Sequence, residues 1–234
     1  MAIIIAELGQ NWVGNIELAK NLIRLAKENG ADLLKMQLYD TDALYEPNTR
    51  LYKQAKEAEL SFYQALMLFE YGARVGIEVF FSVFDVDRVK WCEEIGVNRY
   101  KIAARSISDR AIFSALKGVG KPVIASLPYG RCREDDLKWI CRPVLWTYLY
   151  CIPEYPAKPS MLEGIKFGKR ESYQGFSDHT IGLDTAKIVL ARGAEIIEKH
   201  FAVDHLTGVD APWSMTPDEL VEIKRWEGVC NQIL

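Results

Sequence analysis

Six side chains of three chemical kinds carry the first functional signal: Lys35 and Lys101, His179 and His200, Glu7 and Glu198. Each lies close after a short apolar run, as in Leu33-Leu34-Lys35 and Ile196-Ile197-Glu198. Ammonium, imidazole and carboxylate groups gathered in one place can bind an anion, hold a divalent cation and move protons. On buried strands such groups are costly unless paired or used. The flanks Leu33-Leu34 and Ile102-Ala103 make the strands carrying Lys35 and Lys101 read as buried, which disfavours a solvated edge for either lysine. Further polar residues take equivalent places: Gln10-Asn11, Gln37, Ser82, Asp85, Arg105, Ser126, Glu154-Tyr155 and Ser177-Asp178.

Residues so distant in sequence meet only if the fold returns each strand end to one face. The chain repeats a pattern rather than a sequence. Short strand-like runs fall at residues 3–6, 33–36, 78–81, 99–102, 122–125, 144–150, 173–176 and 194–197. Helix-like stretches lie between them at 16–28, 60–74, 86–94, 109–116, 160–166, 185–191 and 217–230. In the first of these Ile16, Ala19, Leu22, Ile23 and Ala26 recur at steps of three and four, which makes one apolar face. Gly30, Gly76, Gly96 and Gly193 follow helical stretches where a left-handed cap belongs, and a strand-like run follows each. Strands alternating with helices of this size imply βαβ units and a parallel sheet. Eight units in 234 residues fit a single domain, a closed (β/α)8 TIM barrel, in which chemistry sits at the C-terminal ends of the strands.

Composition excludes several classes. The chain is 49% hydrophobic and 26% charged, with 29 Lys+Arg against 32 Asp+Glu, the balance of an ordinary globular protein. A formal charge of −3 offers no attraction to nucleic acid or an anionic membrane. No apolar stretch approaches the ~20 residues that span a bilayer. The start Met1-Ala2-Ile3-Ile4-Ile5-Ala6-Glu7 has no basic leader and its apolar run breaks at Glu7, unlike a secretory signal. Five cysteines without a Cys-x-x-Cys pair (Cys92, Cys132, Cys141, Cys151, Cys230) read as small buried hydrophobes in a reducing cytoplasm. Trp91, Trp139, Trp146 and Trp226 read as packing residues. There is no phosphate-binding Gly-x-x-x-x-Gly-Lys-Ser/Thr and no Gly-x-Ser-x-Gly elbow.

The polar strand ends fall into a recognisable order. Ala6-Glu7-Leu8-Gly9-Gln10-Asn11, Lys35-Met36-Gln37, Lys101-Ile102-Ala103, Lys121-Pro122-Val123-Ile124-Ala125-Ser126 and Glu154-Tyr155-Pro156 are followed by Gly175-Phe176-Ser177-Asp178-His179-Thr180-Ile181-Gly182 and Glu198-Lys199-His200-Phe201. The chain thereby resembles the barrel domain of the sialic acid synthase (N-acetylneuraminate synthase) family, from Ile3 to about Leu220. The resemblance implies condensation of phosphoenolpyruvate with the open-chain aldehyde of an N-acylated hexosamine. It implies a divalent metal, Mn²⁺ first and Mg²⁺ or Co²⁺ as alternatives, on His179 and His200. Imidazole with water and substrate oxygens suits such an ion. By the same resemblance Lys101, Ser126 and Ser177 hold the phosphate end, and Lys35 and Gln37 reach phosphoenolpyruvate from the next strand. Glu7 and Glu198 handle acceptor hydroxyls or a metal-bound water, or else neutralise Lys35 and Lys199. Asp210 and Tyr155 match residues near the metal and acceptor. His205 is expected to be a loop residue.

Departures from the family pattern bear mainly on the acceptor. Trp12-Val13-Gly14 replaces His-Asn-Gly, and Ser82-Val83-Phe84 lacks a phosphate-side hydroxyl. Ala104-Arg105-Ser106 replaces Ser-Gly-Glu, so Arg105 is a candidate replacement charge. The sequence ends at Leu234 without the family's C-terminal antifreeze-like domain, whose arginine reaches the partner subunit's site. A homodimer or a separate capping polypeptide is therefore expected over the mouth. Two other readings stay open: a phosphoenolpyruvate aldol synthase for another aldose or sugar phosphate, and a non-catalytic barrel that binds metal or phosphoenolpyruvate.

Overall fold

The computed structural model describes residues 1–128 and 145–233. Cys132, Trp139, Cys141 and the first residue of the expected sixth strand, Val144, lie outside them. Eight parallel strands close in sequence order: β1 (Ile3–Glu7), β2 (Leu33–Leu38), β3 (Glu78–Val83), β4 (Tyr100–Ile102), β5 (Val123–Pro128), β6 (Trp146–Cys151), β7 (Gly175–Asp178) and β8 (Ile196–His200). β8 pairs with β1 to complete the (β/α)8 barrel. The helices are α1 (Ile16–Glu28), α2 (Thr41–Leu44), α3 (Arg50–Glu57), α4 (Phe62–Val75), α5 (Val86–Ile95), α6 (Arg110–Val119), α7 (Asp184–Ala191) and α8 (Pro217–Ile233).

Local chemistry explains the boundaries. Asn15 caps α1 by accepting from the amides of Glu17 and Leu18, and Ala19, Leu22, Ile23 and Ala26 form its buried face. Ser61 and Gln64 make a reciprocal capping box on α4, while Asp85 and Asp109 cap α5 and α6. Gly30, Gly76, Gly96 and Gly193 all adopt positive φ, as the helix ends require. One expected helix does not form. Only the short 3-10 turn Pro159–Leu162 appears within 160–166, because Gly164 takes φ +74 and ends the run. Among the described residues no helix is long and apolar enough to cross a membrane.

Strand periodicity builds the site. Ile5, Leu33, Phe80, Ile124, Leu149 and Ile196 form an inner cluster, separate from the larger core that includes residues between strands and helices. Each contributes roughly 1.5–3 kcal/mol of apolar burial. Two residues further along the same strands stand Glu7, Lys35, Ser82, Ser126, Cys151 and Glu198. A period of two keeps each pair on one face of its strand. The barrel thus has an apolar floor with a polar layer directly above it. Register completes the layer, placing Lys101 opposite Ser82 and Ser177 opposite both Cys151 and Glu198.

Candidate active site

Above the floor lies a cavity of about 470 Å³, and the eleven side chains to which the resemblance gives a role all line it. Lys35 Nζ stands 2.8 Å from Glu7 Oε2 and 3.1 Å from Glu198 Oε2. Lys101 Nζ stands 3.3 Å from Glu198 Oε1 and donates to Ser126 Oγ at 2.8 Å. Ser177 Oγ donates to the same Glu198 oxygen at 2.8 Å. Gln37 donates to Glu7 Oε1 at 3.1 Å, which also receives the Gly9 amide at 2.8 Å. Burial opposes charge on Glu198, yet the Lys101 and Lys35 ammonium groups outweigh it and hold the carboxyl below the usual range. Burial lowers Lys35 to about 7, against the pull of Glu198.

This network corrects one expectation. Glu198 does not neutralise Lys199; its cations are Lys35 and Lys101. Lys199 is one residue out of phase with Glu198 and belongs to the opposite face of β8. There it meets Asp178 at 3.1 Å and donates to the Thr180 carbonyl at 2.5 Å, tying β8 to the segment that carries His179. Glu7 does pair with Lys35, as its structural reading requires.

The two imidazoles sit higher, at the ends of β7 and β8, with ring centroids 5.7 Å apart. His179 Nδ1 lies 2.9 Å from the Ile152 carbonyl, an acceptor, so Nδ1 carries the proton and Nε2 presents a lone pair. Burial lowers His179 to about 4, helped by His200. Burial lowers His200 to about 3, with Lys35 adding to the shift. Both rings are therefore neutral near pH 7, the form that ligates metals. His200 Nδ1 is buried without a hydrogen-bond partner and lies 3.5 Å from Asp210 Oδ2. Neutral facing imidazoles, one with an orphaned nitrogen, fit a divalent cation whose remaining ligands are water or substrate. Among the described residues no cluster of three or more His, Cys, Asp or Glu forms a closed shell.

Asp210 follows β8 and is pushed up to about 6 by burial. Its Oδ2 accepts from the Gln10 amide at 3.1 Å, and its own amide donates to Asn11 Oδ1 at 2.8 Å. Asn11 also donates to the Phe201 carbonyl and to Ser214 Oγ, pinning the loop after β1 to the loop after β8. Gly9 makes this approach possible. It has φ +51, and a Cβ there would lie 2.5 Å from Asp210 Oδ2 and 2.8 Å from the His200 ring. Tyr155 is exposed at the rim, with its ring 4.2 Å from that of His179.

Arg105, the candidate replacement charge, also lines the cavity, as do Ser82 and Cys151, to which no role was assigned from sequence. The period-two step from Phe80 and Leu149 was the available signal for Ser82 and Cys151. Cys151, 4.0 Å from His179 Nδ1, is pushed up to about 12 by burial, so it is a thiol rather than a thiolate. Asp85 caps α5 instead of facing the site, and Glu154 does not line the cavity. Trp12 and Val83 enter the core, so these two departures from the family pattern do not line the pocket. His205 is half exposed beside Glu219, outside the cavity.

The NeuB family description matches residues 22–228. The chain belongs to the NeuB family. It is 32% identical to an uncharacterised protein of Methanocaldococcus jannaschii over 94% of this chain and 68% of that one. It is 31% identical to the N,N'-diacetyllegionaminic acid synthase of Legionella pneumophila over 93% of this chain and 68% of that protein. The chain thus spans about two thirds of the length of these NeuB relatives. Among solved structures, the N-acetylneuraminic acid synthetase of Leptospira borgpetersenii superposes with a TM-score of 0.87 at 28% identity, covering 99% of this chain and 84% of that one. A 3-deoxy-D-arabino-heptulosonate 7-phosphate synthase of Thermotoga maritima shares the fold alone, at 14% identity and a TM-score of 0.69.

Proposed function

We propose that this barrel condenses phosphoenolpyruvate with the aldehyde of an N-acylated hexosamine resembling N-acetylmannosamine, giving a sialic or related nonulosonic acid and phosphate. The observation that carries this reading is the stacking of two layers in one well of a NeuB chain: a lysine and hydroxyl layer beneath two neutral imidazoles. Lys101, Ser126 and Ser177 supply charge and hydroxyl donors for a phosphate, and Lys35 with Gln37 faces the same volume. Glu198 sits between these two lysines as their counter-charge until an anion takes its place.

His179 and His200 would hold a divalent cation, Mn²⁺ in the first instance. When bound, such an ion supplies Lewis-acid polarisation of a carbonyl. The chain's own groups hold and orient the reactants. The enol carbon of phosphoenolpyruvate bonds to the aldehyde carbon, water adds to the carbon that carried the phosphate, and the C–O bond breaks to release phosphate. Glu7, Glu198 and Asp210 flank this volume and handle the protons of the acceptor hydroxyls and of the added water. The apolar floor shields the well from below, and Tyr155 and Trp213 pack ring against ring at its rim.

We further propose that a second copy of the chain or a separate capping polypeptide covers the mouth, and that the protein works in the reducing cytoplasm. Cys92, Cys151 and Cys230 are free thiols, which suits that compartment. The test of the activity is a phosphate-release screen with phosphoenolpyruvate and Mn²⁺ across N-acylated hexosamines and pentose phosphates. Release with an N-acylated hexosamine supports the reading. Release with a pentose phosphate alone points to another aldol synthase, and uptake of phosphoenolpyruvate without release points to a binding subunit.

A further inference from the structure

The buried ions in and around the cavity cancel one another. Lys35 is matched by Glu7 and Glu198, Lys101 by Glu198, and Lys199, on the opposite face of β8, by Asp178. Three ammonium groups thus face three carboxylates, and Asp210 adds a fourth carboxylate at the rim. A multiply charged anion entering this well meets no net positive charge from these residues, and an anion taken out of water needs a compensating cation.

Arg105 stands apart from this balance. It lies just past β4 in the 3-10 turn Ala104–Ser106, is exposed, and lines the same cavity. Among the described residues no carboxylate lies within ion-pair distance of it; its neighbours are neutral. The guanidinium carbon stands 5.4 Å over the Tyr45 ring centroid. Nη1 lies 3.5 Å from the Tyr45 hydroxyl, and Nη2 lies 3.5 Å from the Leu44 carbonyl. Tyr45 and Leu44 belong to the excursion after β2, so an aromatic ring from a different βα loop steers the arginine. A guanidinium has five N–H donors in a planar fork suited to phosphate, and these two long contacts leave most of them free.

We infer that Arg105 is an anion-capturing residue at the mouth, and that it binds the phosphoryl group of an incoming substrate. The charge balance of the well is independent of the reaction; the identity of the substrate rests on the proposed synthase activity. The phosphoryl group has two sources, phosphoenolpyruvate itself or a phosphate ester on the acceptor sugar. Arg105 is a binding residue here, with no role in proton transfer.

The test compares the full-length wild type with R105Q and R105K in three arms. In the first, inorganic phosphate is titrated calorimetrically at low salt. R105Q should weaken it at least tenfold and R105K by less, because lysine keeps the charge but loses the fork. In the second arm phosphoenolpyruvate is titrated; in the third, KM is measured for acceptors with and without a phosphate ester. A weakened phosphoenolpyruvate titration assigns the donor phosphate. An unchanged one, with KM raised only for the phosphorylated acceptor, assigns the acceptor phosphate. If inorganic phosphate, phosphoenolpyruvate and every acceptor behave alike in wild type and R105Q, the inference is overturned. Should the wild type release no phosphate with any acceptor, the synthase reading fails, while the inorganic phosphate arm still decides for or against Arg105. Unchanged thermal midpoints of both variants, expected for an exposed side chain, show that folding is not the cause.

Discussion

At the scale of single residues the site divides into ligating nitrogens and compensated ions, and each half makes a prediction. His179→Ala or His200→Ala removes one of only two facing imidazoles. Metal affinity, read by competition with a chromophoric chelator, should fall by more than the roughly 10–100-fold that loss of an outer-shell partner costs. His205→Ala, beside Glu219 and outside the cavity, should leave it unchanged, and a larger effect there would discard the ligand assignment. Lys101→Met deletes a buried ammonium that touches both Glu198 and Ser126. The dissociation constant of phosphoenolpyruvate should rise by more than about tenfold, since a charge-assisted hydrogen bond contributes about 1.5–3 kcal/mol. Lys117→Met, exposed on α6, is the matched control and should bind as the wild type does.

At the scale of elements, the eight strands are legible because apolar runs alternate with amphipathic ones, but their far ends are not. Glu7, Ser82, Ser126, Cys151 and His200 extend the strands with residues that break the apolar pattern while still facing the cavity. The partners of Lys101 and Lys199 were likewise hidden, because adjacency in sequence misled where alternation of faces decides. The helices Thr41–Leu44 and Arg50–Glu57 left little signal, since only Thr41 and Ala55 of their residues are buried. Close approach of strands yields a stability prediction. A Cβ on Gly175 would lie 2.2 Å from the Ile196 carbonyl oxygen, so Gly175→Ala must push β7 and β8 apart. Overpacking of this kind costs typically about 1–3 kcal/mol, and for a chain of this size the melting temperature should fall by roughly 2–12 °C. Gly228→Ala in α8 meets nothing within 4 Å and should instead raise it by about 1–4 °C through helix propensity.

At the scale of the whole molecule, the mouth carries exposed apolar side chains. Tyr155, Ile181 and Leu206, on the loops after β6, β7 and β8, are 54%, 67% and 90% exposed. Large apolar side chains left in water beside a polar well suit coverage by a second chain. Light scattering should therefore report twice the chain mass, and Leu206→Asp should shift the population towards the monomer; a wild-type monomer with full activity would count against coverage by a second copy. The opposite end of the barrel has a different consequence, one for time rather than for affinity. The plug of Ile5, Leu33, Phe80, Ile124, Leu149 and Ile196 closes the lower end, so among the described residues the well opens at the mouth alone. If phosphoenolpyruvate rests on the lysine layer as proposed, it must enter before the acceptor held near the imidazoles and cannot leave past it. Initial-rate kinetics should then follow a compulsory order with phosphoenolpyruvate first. An unreactive acceptor analogue should inhibit uncompetitively toward phosphoenolpyruvate, whereas a competitive or mixed pattern would mean that two routes reach the floor. Five aliphatic side chains and one phenyl ring, none of which touches the chemistry, would thus set the queue for two polar substrates.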